Sequence, residues 1–116
     1  MSEVRYPKPT AAHAKMRRDL APAQADAFEA WSKAVYADGA LDKKTKQLIA
    51  VAVAHVTQCP WCIEGHVKGA SRAGATHEQI MEAIWIAAEM RAGASYAHSN
   101  IALEILDQEG GGVKET

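Results

Sequence analysis

Apolar residues recur along this chain every three or four positions, and no stretch alternates apolar with polar residues, so the pattern predicts helices and no strands. Thr10 is placed to cap a first helix running to about Leu20. Pro22 suits the first turn of a second, which carries Ala27, Phe28, Trp31 and Val35 on one face and ends near Asp38 and Gly39. Asp42 is a good N-cap for a third helix through about Thr57. Its second half, Leu48 to Val56, is apolar on nearly every side, which marks a helix buried in a core or between subunits.

Cys59 and Pro60 open a fourth helix, since proline at the first helical position loses no needed donor, and Gly74 closes it. Thr76 with Gln79 forms a capping box for a fifth, with Ile80, Ile84, Trp85 and Ala88 expected to point inward. The tetrapeptide "RAGA" occurs at 72–75 and again at 91–94, and both copies read as helix stops. Gly93 is therefore expected to end the fifth helix, with a sixth from about Ala94 to Asp107 before the flexible tail "EGGGVKET". The expectation is an all-α single domain, a bundle of about six helices over residues 1–108, with 109–116 as tail.

At 116 residues the chain is one domain by length, able to bury a modest core alone and more if it associates. Its 13 basic and 14 acidic residues are well mixed, so neither a basic stripe for nucleic acid nor an acidic arm is present. The start "MSEVRYPKPT" has no apolar h-region, and the longest apolar run falls far short of the ~20 residues that span a bilayer. A soluble, cytoplasmic protein with no nucleic-acid or membrane partner is expected. In a reducing compartment its two cysteines, three apart, suit catalysis or metal binding better than stapling a fold.

Those cysteines lie in "AHVTQCPWCIEGH", as His55-x3-Cys59-x2-Cys62-x3-His66. At a helix N-terminus the unpaired N–H groups and the helix dipole favour negative charge, and a thiol that ordinarily titrates near ~8.5 can be pulled well below that. His66 follows Cys62 by four residues on one helical face and can take the thiol proton. A dithiol this close can also close into a disulfide once one sulfur is oxidised. Zinc is the rival reading, with two Cys and two His as acceptable tetrahedral ligands. Drawing all four from one 12-residue stretch, with His55 before the helix break, would distort good helix. A bland alternative is two small buried thiols with surface histidines.

The stretch Leu41 to Ala88, "LDKKTKQLIAVAVAHVTQCPWCIEGHVKGASRAGATHEQIMEAIWIAA", resembles the alkyl hydroperoxidase D-like group of the carboxymuconolactone decarboxylase superfamily. The resemblance implies an all-α fold assembling into homo-oligomers, commonly trimers or hexamers. It also implies reduction of a small-molecule peroxide at the dithiol, without cofactor or metal, with electrons from a thiol or disulfide donor, a protein or a small thiol. By position, Cys62 resembles the peroxidatic cysteine, Cys59 the more exposed resolving one, and His66 the proton-relaying histidine. The decarboxylase branch generally lacks this pair, which argues against lactone decarboxylation.

The family pattern places a glutamate 12 residues before the first cysteine, where this chain has Gln47. Glutamine can orient an imidazole or a water but cannot accept a proton at neutral pH. His55 is one candidate to replace it; His98 is another, if the last helix returns over the site or reaches a neighbouring subunit. His13 and His77 read as surface residues, Trp61 as a shield of the dithiol or a packing residue, and Glu64 as solvated. Glu82 and Glu89 lie at near-helical spacing and could act as relay acids across a subunit boundary. Three functions thus compete: a thiol peroxidase or disulfide reductase, a metal-binding or redox-sensing protein without turnover, and a lyase in which the cysteines are incidental.

Overall fold

A computed structural model describes residues 6–110, and all regular structure among them is helical. There are five helices: α1 Ala11–Leu20, α2 Pro22–Tyr36, α3 Lys43–Thr57, α4 Pro60–Arg72 and α5 His77–Glu109. The starts are set by short side chains, as the local sequence predicts. Thr10 accepts from the His13 N–H at 3.1 Å and Asp42 from the Thr45 N–H at 2.8 Å. Bonding to the Thr45 backbone N–H holds the Asp42 carboxyl below its ordinary range. This cap is therefore fully formed above the usual carboxylate pKa and weakens as pH falls through the lowered one. Thr76 and Gln79 exchange the two hydrogen bonds of a capping box, at 3.1 and 2.9 Å.

The core is where α3, α4 and the first half of α5 cross. Val51, Ala70, Ala75 and Ile80 are buried together, with Leu48, Val67 and Ile84 packed against them. Ala54, Ala83 and Ala87 complete the buried set, so small residues let the three helices approach closely. The α1–α2 hairpin lies to one side, its helices joined by Arg18, which pairs with Asp26 and with Glu29 at 3.4 Å. One tie to the core is Lys46 of α3, whose Nζ donates to Val35 O at 2.8 Å and Ala37 O at 2.6 Å. A cation at these last carbonyls of α2 also suits the helix dipole.

Three expectations need correction. Gly93 does not break the fifth helix: α5 runs 33 residues without interruption, so the described residues form five helices rather than six, and the second "RAGA" is not a stop. Only the first tetrapeptide ends a helix, because Gly74 takes φ +97° after the α4 C-cap Ala73. Helical residues surround Gly93 on both sides, and intact backbone bonding outweighs the ~1 kcal/mol that one glycine costs. Trp85 and Ala88 do not point inward in the single chain; Trp85 is 68% exposed. At 3.6 residues per turn it lies about 140° round α5 from Ile80, on the side that α3 and α4 leave open. The helix also continues through Glu109, past the expected start of the tail, which from residue 111 lies outside the described residues.

Much apolar surface is uncovered in the single chain. The expected α2 face is a real stripe, yet Phe28 and Trp31 are 65% and 66% exposed. Beyond Ala87 no residue of α5 is buried, although Met90, Tyr96, Ile101, Leu103, Ile105 and Leu106 lie there. The chain exposes 9232 Å² at 12.5 kDa, against ~6,200 Å² for a folded monomer of that mass. Its radius of gyration is 20.6 Å, where a compact chain of this length has ~13 Å. No described helix is long and apolar enough to cross a membrane.

The two identical tetrapeptides should respond oppositely to one substitution. Gly74→Ala is expected to destabilise by about 1–2 kcal/mol, because an L-residue is strained at this positive φ. Gly93→Ala is expected to stabilise by about 0.5–1 kcal/mol, since its added methyl would meet only the end of the Glu89 side chain, at 3.6 Å. Denaturant unfolding of the two variants checks both, and a loss of stability in Gly93→Ala would contradict a freely continuous α5.

Candidate active site

The site begins where the chain reverses between α3 and α4. Gln58 adopts the left-handed conformation, φ 57°, and its N–H returns to Ala54 O, as does that of Cys59 at 3.1 Å. This two-residue connection lays α4 back against α3 and puts Cys59 at the N-cap, a position usually held by Ser, Thr, Asp or Asn. The Cys59 sulfur takes the capping role by accepting from the Cys62 N–H at 3.2 Å. Pro60 fills the first helical position. Cys59 and Cys62 are joined by a disulfide, their Cα atoms 5.2 Å apart. Both sulfurs thus sit at a helix start, where a thiolate is favoured after reduction.

His66 lies one turn further along α4, half-buried. Its Nδ1 is 2.8 Å from Gln47 Oε1 on α3. An amide oxygen only accepts, so Nδ1 carries the proton and Nε2 keeps its lone pair. Gln47 therefore orients the imidazole, one of the two roles open to it from its chemistry. The close approach depends on Gly69, where a Cβ would come within 2.7 Å of Gln47 Oε1. Tyr36, the last residue of α2, covers the ring face: the two rings stack at 5.1 Å with planes 28° apart.

A cavity of about 340 Å³ opens beside these groups. Its lining includes Cys62, His66, Tyr36 and Lys46, and is otherwise mostly aliphatic: Val35, Ile49, Ala50, Val53 and Ala54, with Thr57. Cys59 is not part of the lining, so the two cysteines are presented differently. Tyr36, Lys46 and Gly69 belong to this arrangement and were not legible as site residues. A mid-helix glycine three residues after His66 was the one available signal, because such a glycine costs stability unless something needs the space.

The other expected residues fall elsewhere. His55 donates from Nδ1 to Val51 O at 2.7 Å in its own helix and does not line the cavity. His98 is bound in the same way to Ala94 O at 2.7 Å, on the part of α5 that leaves the core. Cys59, Cys62 and His66 are gathered at the start of α4 while His55 is held by α3, and no described group of three or more His, Cys, Asp or Glu is arranged around a common metal position. Trp61 packs edge-on to Tyr6 at 5.4 Å and donates its indole N–H to Pro7 O at 2.8 Å, so the segment before α1 lies against the "CPWC" turn. Glu64 is paired with Lys68 at 2.8 Å, which lowers its pKa, and both are exposed. Glu82 and Glu89 are exposed on α5.

Comparison with known proteins agrees with the helical fold. Residues 22–104 match the sequence profile of the Carboxymuconolactone decarboxylase family. An uncharacterized protein of the cox locus in Paracoccus denitrificans is 69% identical over 108 residues, 93% of this chain and 96% of that protein. The apo crystal structure of a carboxymuconolactone decarboxylase family protein from Legionella pneumophila is 38% identical and superposes with a TM-score of 0.66, over 80% of this chain and 83% of that one. A family protein from Thermotoga maritima, for which involvement in the antioxidative response is suggested, is 28% identical with a TM-score of 0.54, over 71% and 94% of the two chains.

Gly69→Ala should push the Gln47 amide away from His66 while leaving α4 helical. The expected result is loss of the hydrogen-bonded Nδ1 proton signal of His66 in the NMR spectrum, with the circular dichroism of the wild type. Retention of that signal would show that Gln47 has room to yield without breaking the bond.

Proposed function

The chain belongs to the carboxymuconolactone decarboxylase family, and we propose that within it the protein is a thiol-dependent peroxidase, an alkyl hydroperoxidase D-like oxidoreductase of antioxidant defence. The observation that carries this reading is the bonded Cys59–Cys62 pair at a helix start, with Cys62 and the His66 imidazole lining one apolar cavity. The suggested antioxidative role of the Thermotoga maritima relative points the same way.

After reduction of the disulfide, His66 Nε2 takes the Cys62 proton and the thiolate attacks the terminal oxygen of a hydroperoxide. The O–O bond breaks, Cys62 becomes a sulfenic acid, and the departing alkoxide takes back the proton as an alcohol. The Cys59 thiol condenses with the sulfenic acid, releasing water and restoring the disulfide. A donor dithiol then supplies two electrons and two protons and leaves as its own disulfide. Because Cys59 lies outside the cavity lining, a protein or small-thiol donor can reach it from a different side than the peroxide. The aliphatic walls favour organic hydroperoxides over hydrogen peroxide. Gln47 holds the imidazole tautomer, and neither His55 nor His98 is needed for that step in the single chain.

The working form is a homo-oligomer, a trimer or hexamer. A chain this small cannot remain apart with Phe28, Trp31, Trp85 and the far half of α5 in water, because burying such surface contributes ~25 cal/mol per Å².

Cys62→Ser is expected to abolish peroxide turnover, whereas Cys59→Ser should permit one oxidation and then stall at the sulfenic acid, detectable by dimedone labelling. Activity that survives replacement of both cysteines would instead favour a lyase. Light scattering at micromolar concentration is expected to give a mass of three or six chains, and a monomer would refute the assembly.

A further inference from the structure

The contacts around His66 assign a role to a residue outside the motif. The imidazole is held at its edge by Gln47, which is neutral and supplies direction without charge. One hydrogen bond leaves a ring free to swing about that bond. Tyr36 removes this freedom by lying on the ring face at 5.1 Å, with a 28° angle between planes. Its own position is fixed by Lys46, whose ammonium group holds the carbonyls of Val35 and Ala37, on either side of Tyr36, at 2.8 and 2.6 Å. Lys46 and Gln47 are consecutive on α3. A single turn of that helix therefore fixes the imidazole twice, at its edge directly and at its face through α2.

We propose that Tyr36 is a positioning residue for His66, and that its π face supplies the favourable interaction with the charged imidazolium which the neutral Gln47 amide lacks. The aromatic face is the negative end of the ring quadrupole and attracts a cation stacked on it. The titratable or charged groups facing the imidazole are Tyr36 from α2, Lys46 from α3 and Cys62 from α4; α5 contributes none to the cavity. The Lys46 ammonium, a like charge, is engaged by the two α2 carbonyls. Transfer of the Cys62 proton to His66 creates the imidazolium that this face favours. Tyr36 is half-buried and its hydroxyl makes no hydrogen bond among the described residues, so the ring and not the oxygen carries the effect.

This inference rests on the peroxidase reading for its catalytic consequence, but its test does not depend on peroxide. The pH profile of Cys62 alkylation by iodoacetamide is measured on the reduced, full-length protein carrying Cys59→Ser, alongside the single-turnover rate with an organic hydroperoxide in the two-cysteine protein. Tyr36→Phe should stay within about twofold of its parent in both. Tyr36→Leu, which keeps an apolar side chain but removes the π face, should lose about tenfold at neutral pH and require a higher pH for half-maximal alkylation. Adding Gln47→Glu to Tyr36→Leu should restore most of that loss by supplying a charge at the ring edge, which a purely structural role for Tyr36 would not permit. Equal losses in Tyr36→Phe and Tyr36→Leu, or no restoration by Gln47→Glu, would overturn the proposal. If the parent protein fails to react with any peroxide while the alkylation series behaves as stated, the peroxidase reading falls and the role of Tyr36 stands.

Discussion

The contact on which the site depends is the hydrogen bond between His66 on α4 and Gln47 on α3. It spans the crossing of two antiparallel helices, and three separate features make it possible. The left-handed Gln58 reverses the chain within two residues, Gly69 leaves room for the Gln47 amide, and Val51 with Ala70 lets the backbones come close. Without the reversal, Cys62 and His66 would still share a helical face but would have no second helix to set the tautomer. The chemistry is thus written in α4 and its direction in α3.

A short chain has little core to spend, and this one concentrates it around that crossing. The buried residues are mostly alanine and medium aliphatics, while the large aromatic residues lie outside it. For an isolated domain this distribution would be inverted, since the largest side chains contribute most when buried. Here small residues bring the helices together within the chain, and the large ones are left on its surface.

The legible parts of the fold were those with local causes. Thr10, Asp42, Cys59-Pro60 and Thr76 announce helix starts because a cap acts over three or four residues, and each begins a helix where the sequence placed it. Cys59, Cys62 and His66 were legible for the same reason, their relation being set by one helix. Gly93 and Trp85 were misread because their environment depends on what packs against α5, which no local pattern encodes. Identical "RAGA" tetrapeptides take different structures for that reason. Tyr36 and Lys46 were invisible as site residues because the stacking crosses from α2 to α4, 30 residues apart in sequence. For Gln47 the sequence raised the right question, what a neutral side chain can do there, and the geometry answered it with orientation.

The unbroken α5 has a mechanical consequence. Its first three turns are clamped in the core, and the remainder projects from that clamp as a rod about 30 Å long, at 1.5 Å per residue. A tilt of about 10° at the clamp would sweep the free end through about 5 Å, roughly the pitch of one helical turn. A glycine break at residue 93 would have absorbed such a tilt as a loose joint. A continuous helix transmits it, so small changes of packing near Ile80 and Ala87 would be amplified at the far end.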